Sequence, residues 1–584
     1  MTRQKPIKND SIKFLQFFFI ITIILTLIST VFNYEAFGDT DEKHSDTNVS
    51  SDTEVVENMQ NIRVGLYFRD TQLYNPSSEI SYFKVSSAKG IEVGYSTNNK
   101  FIGILGVDDN TGLIVRKDAF YIVENNLIKE YKQKETVADN GKILGPYHIQ
   151  IGSSFGSYSE AKEKLDVYIQ KGINGYIALT DSWYIWSGFY VDQKSAEEDI
   201  SNNMVKKLGE EEYKIIQPSK DNIVISDEKS GNTLLVFGKK DGYLQIKPKA
   251  DNNPYIFSIN GKKYRGYLEV RRYESSDMTV INILPLEEYL YGVVPCEMPW
   301  TYPIEALKAQ AVAARTYACK SLGKYSRLGF DVCATVYSQV YEGYSVERET
   351  TNKAVDETRG EKLYYNGEIA QVYFFSTSGG RTESAANVWK DDLPYLKSIE
   401  DKYEDPNSKY YTWEIVMTAE EIKNIMKEKG FDPGDIIGIR IVNTSEAGRV
   451  TELVVSGTID ENVFLKARCR EIFNLPSQWY EILTDADVMV LNTQNDYVKN
   501  VNIGNASVIT GNGVKKLKAG KEVLIAGNSN TLRKIPSIPT SYTFIGRGYG
   551  HGVGMSQQGA KGMALAGFTY DEILKYYFSG ITIK

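Results

Sequence analysis

LPLEEYLYGVVPCEMPWTYPIEALKAQAVAARTYACK, residues 284–320, decides how the rest of the chain is read. Pro285 to Val294 reads as an opening turn followed by a short apolar segment. Cys296-Glu297-Met298-Pro299-Trp300 then sets one carboxylate among apolar and aromatic neighbours. From Pro303 an alanine-rich helix is expected, with Thr301 or Tyr302 as its cap and proline at the tolerated first helical position. Ile304, Leu307, Ala311, Ala314 and Ala318 recur at helical spacing, which predicts a buried, closely packed helix. A glutamate between Val293-Val294 and Met298-Trp300 is hard to ionise, because burial disfavours the charged form. Glu297 is therefore a candidate proton donor near neutral pH; a solvated turn or an ion pair with Arg315 are the plainer readings.

The 584 residues are enough for three or more domains. Arg3, Lys5, Lys8 and Lys13 precede an apolar run, so residues 1–13 are expected in the cytoplasm and 14–33 across the membrane. A cleaved signal segment is the rival, but Tyr34-Glu35-Ala36 puts tyrosine where cleavage needs a small residue. Residues 34–61 are polar and read as a flexible linker. Short apolar runs punctuated by turn residues make 62–145 a β-rich unit.

Residues 146–226 carry an internal echo. Gln150-Ile151-Gly152-Ser153-Ser154-Phe155 precedes Tyr158-Ser159-Glu160-Ala161, and Trp186-Ser187-Gly188-Phe189 precedes Lys194-Ser195-Ala196-Glu197. Each half reads strand, helix, strand, the last being Asn222 to Ser226, which is a split βαββαβ order. Residues 227–584 return to strands, with a hairpin at Asn260-Gly261, a helix at Ala419 to Lys429, a strand at Ile436 to Asn443 and a final helix from Tyr570. The expected fold class is α+β and multidomain: a β-rich catalytic region around one buried helix, plus a ferredoxin-like βαββαβ module.

A formal net charge of −8 gives no reason to expect nucleic acid as a partner. The 41 tyrosines and 23 phenylalanines are read mostly as strand residues, although exposed rings also suit sugar stacking. Cys296, Cys319, Cys333 and Cys469 form no C-x-x-C pair, and a Cys319–Cys333 bridge stays open as an option outside the cytoplasm.

The run EEYLYGVVPCEMPWTYPIEALKAQAVAARTYA resembles the signature of the stage II sporulation protein D family. Phe374-Phe375-Ser376-Thr377-Ser378-Gly379-Gly380 and the segment Gly546 to Gln557 (GRGYGHGVGMSQ) match its later motifs in the same order. The resemblance implies a bacterial lytic transglycosylase that cuts peptidoglycan glycan strands and leaves a 1,6-anhydro-N-acetylmuramic acid end. It places the catalytic acid/base at Glu297. It implies substrate-binding roles for Gln310, Arg315, Tyr395 and Lys397. Apart from the resemblance, the hydroxyls of Ser376 and Ser378 suit sugar hydroxyls or make an ordinary polar loop, and His551, in a glycine-rich loop, reads as structural or substrate-lining. Gln310 and Arg315 lie about 140° apart around a helix, so both cannot point into one narrow cleft.

Residues 146–226 resemble the sporulation-related repeat (SPOR) domain, which implies that a sheet face with Tyr147, Gln150 and Trp186 meets glycan stripped of stem peptides. Some members of the family bind zinc through a Cys-x-x-x-His-Cys cluster. Here Tyr337 and Ser338 stand at the His and second Cys positions and only Cys333 matches, so no metal and no other cofactor is expected. The implied partners are peptidoglycan glycan strands and a cell-wall amidase, in a single-pass membrane protein whose C-terminal part lies outside the cytoplasm; secretion after signal cleavage is the alternative. The rival function, also known in the wider family, is a non-catalytic glycan-binding protein that recruits or stimulates an amidase.

Overall fold

Two mainly antiparallel sheets and the alanine helix account for most of the architecture that positions the site. The computed structural model of the chain describes residues 60–584 apart from 71–78, 99, 109–110, 125–126, 133–140, 250–253, 274–276, 492–496, 503–506, 517–522 and 527–531. The expected cytoplasmic tail and membrane segment, and nearly all of the linker, lie outside the described residues. Among the described residues no helix is long and apolar enough to cross a membrane. The chain is α+β and strand-rich.

A seven-stranded sheet runs in the order Val332–Cys333, Asn61–Tyr67, Asp277–Pro285, Tyr267–Tyr273, Tyr243–Pro248, Ile91–Thr97, Lys100–Val107. Its strand Asp277–Pro285 is buried along almost its whole length. Met278, Val280 and Leu284 face the main core, while Ile281 and Ile283 face a smaller one with Phe68, Leu328 and Phe330. A strand covered on both faces loses its polar alternation.

The second sheet has ten strands, ordered Tyr213–Ile216, Tyr147–Ile151, Trp183–Tyr190, Gly175–Leu179, Thr233–Phe237, Ile223–Asp227, Leu113–Lys117, Tyr82–Ser86, Ile256–Ile259, Lys262–Arg265. Its first four strands, with the helix Tyr158–Gln170 and the helical stretch from Gln193 to Leu208, form a strand–helix–strand–strand–helix–strand unit. Their spatial order is fourth, first, third, second, all antiparallel. The fourth strand is Tyr213–Ile216, not the expected Asn222 to Ser226. That more apolar segment is a strand too, but it sits between Leu113–Lys117 and Thr233–Phe237, buried on both sides, whereas Tyr213–Ile216 is an edge strand. Apolar content marked the central strand and hid the edge one. Gly175–Leu179 also pairs in parallel with Thr233–Phe237, so hydrogen bonding is continuous from this unit into its neighbours.

Leu286–Glu297 is a helix, where an opening turn and short apolar segment were expected. Pro295 lies inside it, two residues before its last residue Glu297, and Pro299, just after the cap residue Met298, stops further winding. After a short turn the chain returns as the helix Ile304–Lys320, in which only Ile304, Glu305, Lys308, Tyr317 and Lys320 keep contact with solvent. Alanine makes this possible. Ala311, Ala314 and Ala318 pack into the core shared by the two sheets, and Ala306, Ala309 and Ala313 into a second core with Leu363, Met555, Met563 and Leu574. A third core, around Trp413, Ile422, Phe464, Phe473 and Phe544, belongs to the strands of the C-terminal region. The helices expected at Ala419 and Tyr570 are Ala419–Glu428 and Tyr570–Tyr577, each closed by a capping box.

Ala313 is fully buried in the second core, so a larger side chain there must displace its neighbours. The substitution Ala313→Leu is expected to lower the unfolding free energy by about 1–3 kcal/mol through overpacking, measured as a shift in the denaturant midpoint.

Candidate active site

Glu297 is the last residue of its helix, where the carbonyl end of the helix dipole already disfavours negative charge. Its Oε1 accepts one hydrogen bond, from Val340 N at 3.1 Å. Burial pushes the carboxyl up to about 6, and that single hydrogen bond only partly opposes it. Among the described residues Oε2 has no protein partner, and Glu297 lines a cleft of about 700 Å³.

The cleft has three walls. Tyr317 of the alanine helix and Val336, Tyr337, Ser338 and Val340 form one beside Glu297. Tyr373, Phe375, Trp389 and His551 form a second, with ring centroids 4.4 Å apart for Tyr373–Trp389 and 4.9 Å for Trp389–His551. Arg470 and Glu471 close the third. The second wall requires glycine. Gly554 has φ +80°, and a Cβ there would fall 2.2 Å from Tyr373 O, so the loop lies flat against the strand carrying the aromatic residues.

His551 Nδ1 accepts from Val553 N at 3.1 Å, and burial with nearby Arg470 and Arg449 pushes its pKa down to about 3. It is a neutral ring in the wall. Ser376 lines the cleft, but Ser378 does not. Ser378 is fully buried and donates to Glu404, whose Oε2 also accepts from Ser378 N at 2.9 Å and Gly379 N at 3.0 Å. Buried Arg449 donates to Ser378 O at 3.0 Å and Arg381 O at 2.7 Å. Thr377 and Tyr549 exchange backbone hydrogen bonds of 3.1 and 2.8 Å. The serine–glycine motif is thus mainly the clamp that holds the glycine-rich loop in place, and the substrate role expected for Ser378 is corrected on that ground.

Three other expected contacts lie elsewhere. Arg315 is fully buried and forks onto Glu287, with Nε to Oε1 at 2.9 Å and Nη2 to Oε2 at 2.7 Å, and it also donates to Val355 O and Glu361 O. It is neither in the cleft nor paired with Glu297. Tyr395 is buried against Tyr365, its hydroxyl accepting from Gln371 N at 2.9 Å. Lys397 is exposed and paired with Asp392. Gln310 is fully buried behind the cleft and accepts from Gln557 Nε2 at 3.3 Å; Gln557 itself lines the cleft.

The three residues expected on one glycan-facing sheet surface are divided. Strand alternation puts Tyr147 with Ile149 and Ile151 toward the helices and Gln150 on the opposite face. Trp186, opposite Gln150, is 3% exposed and stacked on His148 at 5.1 Å, so it offers no open ring. The cysteines are all free thiols, including Cys319 and Cys333. Cys333 Sγ lies 3.3 Å from Thr335 Oγ1 and 3.4 Å from Ser338 Oγ, so its neighbours are hydroxyls.

Sequence reasoning missed Tyr317, Trp389, Arg470, Glu471 and Gln557. Gln557 was inside a quoted motif, and Trp389 stands out as a lone ring before Lys390-Asp391-Asp392. Arg470 and Glu471 carry no local signal.

A sequence model described as Stage II sporulation protein matches residues 274–365, the segment that holds Glu297, the alanine helix and Val340. Over 332 residues the chain is 30% identical to Stage II sporulation protein D of Bacillus subtilis, covering 53% of this chain and 78% of that protein. The chain belongs to the stage II sporulation protein D family. It is also 32% identical over 328 residues to an uncharacterized protein of Brachyspira hyodysenteriae, covering 56% of this chain and 74% of that one. The Amidase enhancer of Bacillus subtilis is 29% identical over 354 residues, but these span only 46% of that protein.

Within this family member, burial pushes Glu404 up to about 7 from an ordinary 4.5. A raised carboxyl stabilises the fold fully below 4.5 and loses that contribution as pH rises through 7. Stability is therefore expected to fall on the order of 2–3 kcal/mol between pH 4.5 and 8, and Glu404→Gln to flatten that slope in urea titrations at each pH.

Proposed function

We propose that this protein is a peptidoglycan lytic transglycosylase acting in cell-wall remodelling linked to sporulation, with Glu297 as acid and then base. The observation that carries this reading is a half-buried carboxyl, raised so that about half of it is still protonated near pH 6, opening into an aromatic-walled cleft of glycan size. Glu297 gives its proton to the bridging oxygen as the bond between the N-acetylmuramic acid anomeric carbon and that oxygen breaks. The same sugar's C6 hydroxyl attacks the anomeric carbon and returns its proton to Glu297. The product is a 1,6-anhydro end, water takes no part, and a second carboxylate is not required.

The rings of Tyr373 and Trp389 supply faces on which sugars stack. The βαββαβ unit supports the further reading of a SPOR-like module that holds the strand, with Gln150 the contact left from the expected set. The apolar segment 14–33 supports attachment to the membrane with the site outside the cytoplasm. The alternative of a non-catalytic partner of an amidase draws on the relative named Amidase enhancer.

The test incubates full-length protein with amidase-treated peptidoglycan and reads the products by mass spectrometry. Anhydro-muramic ends are expected, with Glu297→Gln slowing their formation about 10²–10⁴-fold. Because the acid must be protonated, kcat/KM is expected to fall about tenfold per pH unit above 6. Reducing ends would mean hydrolysis. No product, with glycan binding intact, would favour the amidase-partner reading.

A further inference from the structure

A second depression, of about 420 Å³, lies on the face of the seven-stranded sheet turned away from the main core, and it shares no lining residue with the Glu297 cleft. Its centre is Glu269, 2% exposed, which accepts from Arg63, from Arg271 Nε and from Gln245 Nε2 at 2.9 Å. Arg63 Nε donates to Gly329 O at 2.7 Å and Arg271 Nη1 to Tyr273 Oη at 2.7 Å. Those bonds lock both guanidinium groups and leave Arg63 Nη1 and Arg271 Nη2 with no protein acceptor among the described residues. The arrangement is pre-formed rather than adaptable.

Lys247 completes the set. Its ammonium sits 3.9 Å from the Phe101 ring centre and 4.6 Å from that of Tyr267, and it makes no ion pair or hydrogen bond among the described residues. The carboxylate opposite it in register, Glu92, lies instead over Gly103, where an added Cβ would fall 2.5 Å from Oε1. Burial lowers the Lys247 pKa, and the Glu92 carboxylate only partly opposes it, the mark of a cation whose desolvation is incompletely offset. The other acid in the lining, Asp241, is paired with Lys239 at 2.7 Å. In a chain of formal charge −8, three cations here meet one buried carboxylate. Tyr243, 41% exposed, and Asn61 add a ring face and an amide at the rim.

We propose that this depression is a second carbohydrate site, which binds a sugar carrying an anionic group, a carboxylate or a phosphate. The anion meets Lys247 Nζ and the spare guanidinium N–H groups in charge-assisted hydrogen bonds, and the sugar ring lies against the exposed side of Tyr243.

Calorimetric titration of the full-length protein with three hexosamines tests this: N-acetylglucosamine, its 6-phosphate, and N-acetylmuramic acid. At least one acidic sugar is expected to bind about tenfold more tightly than the neutral one. Which of the two is tighter identifies the anion. Lys247→Gln removes that preference and Lys247→Arg keeps it; Lys247→Met, which keeps the stem, replaces the glutamine variant should that one not fold. Glu297→Gln leaves the preference intact. Equal affinity for all three sugars, a preference that survives loss of the Lys247 charge, or one that disappears with Glu297→Gln would overturn the proposal.

Discussion

Arg315 forked onto Glu287 is the interaction on which the site's geometry depends. The two residues lie at the open end of a helical hairpin, one in the last turns of Ile304–Lys320 and the other in the first turn of Leu286–Glu297. The closed end of the same hairpin carries Glu297. With one end tied by a buried two-point ion pair and the length between filled by alanines, the glutamate has little freedom to move. A buried pair of this kind costs desolvation on both partners and is weak evidence for stability. Its consequence here is positional: the hairpin has one register, and Glu297 has one place.

From that placement the electrostatics follow. The same burial that raises the Glu297 carboxyl lowers His551, because desolvation favours whichever form is uncharged. Near pH 6 the cleft therefore holds a neutral imidazole and a carboxyl able to give up a proton. The aromatic wall offers sugar-sized faces. Behind it, Glu404 and Arg449 clamp the serine–glycine segment to the glycine-rich loop, so the wall is set by a buried polar network two residues removed from the cavity surface.

Much of this was legible in residues 284–320 alone. The alanine periodicity gave the buried helix, and the apolar neighbours of Glu297 gave its raised pKa. The helix Leu286–Glu297 was not legible, and Pro295 inside it is a residue that normally disfavours a helix interior. The motif residues were found more readily than their roles. Arg315, Ser378 and Tyr395 are the buried supports of the site, and sequence motifs do not separate support from contact. Period-2 alternation, applied strictly, would have divided Tyr147 from Gln150. Arg470 and Glu471 reach the cleft only through the tertiary fold, and no local pattern announces them. Tyr213–Ile216 escaped notice because an edge strand needs little apolar content.

The most direct measurement is the ionisation of Glu297 itself. Difference infrared spectra of protein with ¹³C-labelled glutamate carboxyls, taken against Glu297→Gln across pH 4–8, isolate that group. A proton donor set by this burial shows a protonated carboxyl band that disappears with a midpoint near 6. A midpoint at or below the ordinary 4.5 would mean a solvated carboxylate and would contradict the acid role on which the proposed function rests.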